Sequence, residues 1–221
     1  MNKIYHIHTP KTGGSFVRVR VLINVCELMP EVANLNLQYG FHAAWQNVDD
    51  ETYLVSSWRE PAARTVSQYT YKNNNPTVDD FLSWFEKNKD VLSDYQSKNL
   101  LFVPSENITM SMFIDNPDFL SIQVDRDEVM RRIARINLFL RDDQFPLKSV
   151  EILGNRILQD FGSSETFRYC FNYDNDDPIN TTDASSIIYG SLTSDQIDYL
   201  NNLSPLDYEI YNTPELFWDG K

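Results

Sequence analysis

Short apolar runs and longer amphipathic stretches alternate along this chain, and their order predicts its elements. Ile4-Tyr5-His6-Ile7-His8 is a β-prone run that passes through a Pro/Gly-bearing turn into Ser15 to Cys26, a stretch of helix length. A loop-like span runs from Asn34 to Asp50, and Tyr53 to Ser57 then reads as a second, buried strand. Pro61 suits a first helical turn, which places a helix from there to about Tyr71. Thr77 with Asp80 has the spacing of a capping box and predicts a helix through Phe85. Farther on, Phe119 to Val124 is the expected third strand and Glu128 to Leu140 a helix. Ser149 caps an amphipathic helix whose Val150, Leu153, Ile157, Leu158 and Phe161 share a face, and Gly162 stops it. Residues 172–183, rich in Asn, Asp and Thr, read as an exposed loop. Thr193 and Gln196 form another capping box, for a helix to about Leu203, and a short terminal helix with Asp207 and Tyr211 is expected to pack back on the body. Strands alternating with helices predict an α/β fold: one domain over residues 1–221, three layers deep, with a mainly parallel central sheet flanked by helices.

Composition narrows the setting. Apolar and aromatic residues make up 42% of the 221, with 13 Phe, 12 Tyr and 4 Trp, enough to close a core and exclude wholesale disorder. No stretch approaches the roughly 20 consecutive apolar residues that span a bilayer, and no charged leader precedes an apolar run, so a soluble, cytoplasmic protein is expected. Cys26 and Cys170 show neither metal spacing nor a disulfide framework and read as buried thiols. With 19 Lys and Arg against 32 Asp and Glu, the net charge is −13. That balance opposes nucleic acid and anionic membrane surfaces as partners.

Candidate chemistry concentrates at two strand-to-helix junctions. The first, Thr9-Pro10-Lys11-Thr12-Gly13-Gly14-Ser15-Phe16, lies where unpaired amides at a helix N-terminus make an anion site. Gly13 and Gly14 let the backbone approach a phosphate, Lys11 adds a mobile cation, and Thr12 and Ser15 add hydroxyls. Alternatively the segment is a plain Gly-Gly turn beside an exposed lysine. It is not a Walker A loop, because the Gly-Lys-Ser/Thr spacing is missing. The second junction, Ser56 to Tyr69, carries Arg59, Glu60, Pro61, Arg64 and Ser67. Two such junctions point to a ligand with two phosphate ends.

Together these motifs resemble the sulfotransferases that use 3′-phosphoadenosine 5′-phosphosulfate (PAPS), in particular the carbohydrate branch similar to heparan sulfate 2-O- and 6-O-sulfotransferases. His8 to Ser15 matches the His-Ile-Pro-Lys-Thr-Gly-Gly-Thr-type loop of that branch, with Thr9 in place of Ile. Tyr39-Gly40-Phe41-His42-Ala43-Ala44-Trp45 looks like its Gly-Leu-His-Ala-Asp-Trp segment. Fainter likeness extends to Gln96-Ser97-Lys98-Asn99-Leu100 and to Leu192 through Tyr211. The resemblance implies a P-loop-like domain in which the first loop, Pro10 to Phe16, holds the 5′-phosphosulfate. It also implies that Arg59 and Ser67, eight residues apart as in the family, hold the 3′-phosphate. Unlike the Golgi members, this protein is expected to lack a membrane anchor and stem.

Sulfuryl transfer moves a neutral SO3 unit between oxygens, so alignment and charge stabilisation carry the reaction. Lys11 is expected to neutralise the bridging oxygen as the nucleotide leaves, without a metal. The acceptor hydroxyl, of a glycan or small molecule, needs a base, and His42 is the first candidate among three histidines, ahead of His8. His6 reads as structural and Glu60 as a helix-start carboxylate. Trp58, Tyr69 and Tyr71 are either adenine platforms or core. Arg64 either supports the 3′-phosphate or lies on an exposed helix face, and Arg126, Arg131, Arg132 and Arg135 read as a solvated face. Two other functions share the pattern: a P-loop nucleotide kinase and a non-catalytic nucleotide-binding module.

Overall fold

The computed structural model describes residues 3–13, 17–34, 49–73, 76–103, 117–142, 148–168 and 183–219. Four parallel strands form one sheet in the order β2-β1-β3-β4: β1 Lys3–Ile7, β2 Ala33–Asn34, β3 Thr52–Trp58 and β4 Leu138–Arg141. The long pairing is β1 on β3, from Lys3 opposite Thr52 to Ile7 opposite Ser56, while β2 adds only two residues at one edge. On the other edge β4 pairs with β3 from Val55–Leu138 to Trp58–Arg141.

Side-chain alternation along the strands builds a core on each face. Ile4, Tyr53, Val55, Leu138 and Leu140 pack against helix α1 and helix α7. Helix α1 begins as a π-helix, Val17–Leu22, and continues as an α-helix, Ile23–Leu28; α7 is Lys148–Asp160. The Asn24 amide donates to the carbonyls of Val19 and Arg20 where the wide turns tighten. Tyr5, Ile7, Leu54, Trp58 and Phe139 face the opposite layer. That layer holds α4 Tyr95–Leu101, α6 Arg126–Ile133 and α10 Pro205–Tyr211. A third cluster joins α2 Pro61–Lys72 and α3 Val78–Leu92 to α8 Asp183–Ser191 and α9 Ser194–Asn202. Among the described residues no helix is long and apolar enough to cross a membrane.

Several expectations need correction. The expected third strand at Phe119 to Val124 is instead a helical turn, α5 Pro117–Leu120, followed by irregular chain. The strand lies at Leu138–Arg141, inside the span expected to be helical through Leu140. Asp125 starts α6 by accepting from the amides of Asp127 and Glu128, and the helix ends at Ile133, freeing the next residues to join the sheet. Helix α3 runs on to Leu92 rather than stopping near Phe85, because Leu92 continues the buried stripe of Phe81 and Phe85. Helices α4 and α8 carry no counterpart in the sequence reading.

The strand order matters for function. The chain leaves β1 toward β2 on one side and leaves β3 toward β4 on the other, so the direction of connection reverses at the C-terminal ends of β1 and β3. Open α/β sheets bind ligands at such a reversal.

Candidate functional site

Both predicted junctions lie at this reversal. Beyond β1, Thr9 and Pro10 are buried and the backbone turns left-handed at Lys11 (φ 68) and again at Gly13 (φ 81). Glycine suits such a position; lysine there is strained, and strain of this kind collects at functional sites. The turn is fixed from beneath. Thr12 donates its hydroxyl to the Thr9 carbonyl at 2.9 Å, and the Thr12 and Ser57 hydroxyls lie 2.9 Å apart. The Thr9 hydroxyl donates to Asn99 Oδ1 at 2.8 Å, tying the turn to α4.

Beyond β3, the backbone of Arg59 is held on both sides by one residue. Arg59 N donates to Gln96 Oε1 at 2.9 Å, and Gln96 Nε2 donates to the Arg59 carbonyl at 2.8 Å. Gln96 is fixed in turn from the far end of the chain: its amide and that of Ser97 donate to the two oxygens of Asp207, each at 2.8 Å, and the Ser97 hydroxyl donates at 2.6 Å. Asp94 returns the cap, accepting from the amides of Leu206 and Asp207. The guanidinium of Arg59 donates from Nη1 to the Lys11 carbonyl at 3.4 Å, and its Nε lies 3.0 Å from Asp142 Oδ2.

Three cations therefore meet. Burial, then the positive charges of Arg59 and Arg64, push the Lys11 ammonium down to about 8, and among the described residues no carboxylate pairs with it. Lys11 Nζ instead lies 4.4 Å over the ring of Tyr71. Arg64 is 1% exposed, so the exposed-face alternative for it is excluded. Its guanidinium stacks 4.0 Å over Tyr95 and donates to Gln68 Oε1 at 2.6 Å. Three cations against the one carboxylate that pairs with them among the described residues, Asp142, leave an excess of positive charge beside a left-handed turn and a helix start, which suits an anion.

Other candidates take definite places. Ser67 is buried on α2, one turn beyond Arg64. His6 and His8 are buried with rings stacked at 5.0 Å. Glu60 accepts from the Tyr189 hydroxyl and the Asn201 amide, which anchors α2 to α8 and α9. Trp58 is core, its indole donating to the Asp207 carbonyl, and Tyr69 packs on Phe81 and Trp84. Of the three aromatic candidates Tyr71 is exposed, at 53%. Arg126, Arg131 and Arg135 pair with Glu209, Glu128 and Asp50 as a solvated face would, whereas Arg132, only 14% exposed, pairs with Glu128 and donates to the carbonyls of Leu100 and Leu101, so the solvated-face expectation fails for it. Cys26 is half-buried, and burial pushes its thiol up to about 11. His42, Gly14, Ser15, Phe16 and Cys170 lie outside the described residues. Among the described residues no group of three or more His, Cys, Asp or Glu could hold a metal ion.

Gln96, Asn99 and Asp207 are the site's supporting residues that no motif singled out by role, although all three lie in segments with faint family likeness. Beyond that likeness no local pattern marks them, because their partners lie far away along the chain. Comparison with protein-family models, curated proteins and solved structures found no match for this chain.

Proposed function

We propose that the chain is a sulfotransferase with a P-loop-like domain. It moves a sulfuryl group from PAPS to an acceptor hydroxyl of a carbohydrate or small molecule. The observation that carries this reading is the convergence of Lys11, Arg59 and Arg64 at the sheet's reversal point, Lys11 from the first and both arginines from the second of the two motifs that resemble the PAPS enzymes. Several cations gathered at one place favour a ligand with several negative charges. In this reading the loop from Pro10 to Phe16 holds the 5′-phosphosulfate, and Arg59 and Ser67 hold the 3′-phosphate. The acceptor oxygen attacks sulfur as the bond from sulfur to the bridging oxygen breaks, His42 takes the acceptor's proton, and Lys11 neutralises the departing phosphate oxygen.

Calorimetric titration with 3′-phosphoadenosine 5′-phosphate (PAP) and, separately, with ATP and magnesium tests the ligand class. Mass spectrometry of glycans and small alcohols incubated with PAPS tests the reaction. The expected result is PAP binding, a gain of one SO3 unit on an acceptor, and an Arg59→Ala variant whose PAP affinity falls by roughly 1.5–3 kcal/mol. Preference for ATP with magnesium would favour the kinase, and PAP binding without transfer to any hydroxyl would favour a non-catalytic module.

A further inference from the structure

Tyr71 is an exposed aromatic without a packing role: among the described residues its ring joins no buried apolar cluster and its hydroxyl makes no hydrogen bond. The ring instead meets the ammonium of Lys11, whose Nζ lies 4.4 Å from the centroid. The backbone that carries the ring is fixed. Tyr69 packs on Phe81 and Trp84, the Thr70 hydroxyl donates to the Val66 carbonyl at 3.1 Å, and Asn73 Nδ2 donates to the Tyr69 carbonyl at 2.6 Å, which closes the last turn of α2.

Lys11 needs such a partner. Its backbone is held by the left-handed turn and by Arg59, which donates to its carbonyl, but its ammonium hangs on a flexible four-carbon stem. The charged groups that act on that ammonium, Arg59 and Arg64, are cations and repel it. A carboxylate partner would grip it more firmly, but would also cancel the charge and repel an anionic ligand. The face of an aromatic ring attracts a cation through its quadrupole and carries no net charge. It also brings no oxygen to compete with a phosphate for the N–H donors.

We propose that Tyr71 is a positioning residue whose ring seats the Lys11 ammonium, still charged, toward the departing oxygen of the donor nucleotide. The inference rests on the sulfotransferase reading for what Lys11 does, and on the contact itself for what holds it. Ring and leaving oxygen take opposite sides of one ammonium, which turns its N–H donors toward the oxygen. Without the ring the stem turns among its rotamers and turnover falls, while nucleotide affinity, supplied by the loop and Arg59, is kept.

Two substitutions at this exposed site isolate the ring: Tyr71→Leu removes it and Tyr71→Phe keeps it. Carbon–proton NMR of the full chain with labelled lysine reads the Lys11 ε-methylene, assigned by its loss in Lys11→Ala, because a ring face shifts the protons above it upfield. PAP release from saturating PAPS, to water and to a panel of glycans and small alcohols, reads turnover, and calorimetric titration with PAP reads affinity. The Lys11 signal should stand upfield in wild type and in Tyr71→Phe and return to the ordinary lysine position in Tyr71→Leu. Turnover should fall about 5- to 30-fold in Tyr71→Leu, the range for losing a partly desolvated cation–π contact, and be restored by Tyr71→Phe, with PAP affinity within about threefold throughout. A wild type that releases no PAP overturns the sulfotransferase reading, and the Lys11 signal then decides the seat by itself. A Lys11 signal that does not move in Tyr71→Leu overturns the seat whatever happens to turnover. If the signal moves but turnover holds, the positioning role is overturned. PAP affinity that falls in step with turnover overturns it too and makes the ring an adenine platform.

Discussion

At Lys11 backbone strain and charge meet in one residue. Its φ of 68 lies in the left-handed region, where a residue with a Cβ is less stable than glycine by about 1–2 kcal/mol. Lys11→Gly should therefore be more stable than Lys11→Ala by about 1 kcal/mol in urea denaturation, while both lose sulfuryl transfer. Equal midpoints would show that the turn relaxes once the lysine is gone. The charge follows its own rule. Because the folded-state ammonium titrates at about 8, below its ordinary value, the folded chain releases this proton before the unfolded chain does. The residue's contribution to stability thus rises with pH from about 8 to 10.5, while the cation available to an anion is lost. An incoming phosphate favours the charged form, so PAP binding above pH 8 should take up a proton, seen as a binding heat that depends on the buffer. Lys11→Gly should abolish that dependence.

Elements held by local chemistry were legible in advance, and those held by distant contacts were not. The capping box of Thr193 and Gln196 is present in full, Pro61 opens α2, and Gly162 ends α7 with φ 71. By contrast Leu138-Phe139-Leu140 is too short a run to display a period, and only its pairing with β3 makes it a strand. The site divides the same way. Lys11 and Arg59 lie in contiguous motifs, but the contacts of Gln96 with Arg59, Asn99 with Thr9 and Asp207 with Gln96 join residues far apart in sequence, which no local pattern encodes. Close packing can be tested within one element. A Cβ on Gly154 of α7 would lie 2.3 Å from Phe167 Cγ. Phe167 has little freedom to yield, because its backbone exchanges hydrogen bonds with the Asn155 side chain at 2.8 and 3.0 Å. Gly154→Ala should lower stability by about 1–3 kcal/mol despite alanine's better helix propensity, read from the urea midpoint. A raised midpoint would mean that the ring moves aside.

Across the whole molecule, the C-terminal helix closes the site built from the first half of the chain. Asp94 and Asp207 cap each other's helices, and through Gln96 this joint reaches Arg59. The price is a buried carboxylate. Burial first, and then the charge of Asp94, push Asp207 up to about 6, and burial also raises Asp94. An unfolded aspartate titrates near 3.9, so the folded chain holds this proton more tightly. The contribution of a group shifted in that direction is complete below about 4 and is lost as pH rises through about 6. Glu128 is shifted the other way, to about 2, by its bonds to Arg131 and Arg132, but it stands on the surface where solvent screens it. Unfolding free energy should therefore rise as pH falls from 7 to 5, against the usual acid loss. Asp207→Asn should flatten that rise whatever it does to stability at pH 7, because asparagine does not titrate. Urea denaturation of both proteins at pH 5, 6 and 7 compares the slopes, and an undiminished rise in the variant would place the titrating group elsewhere.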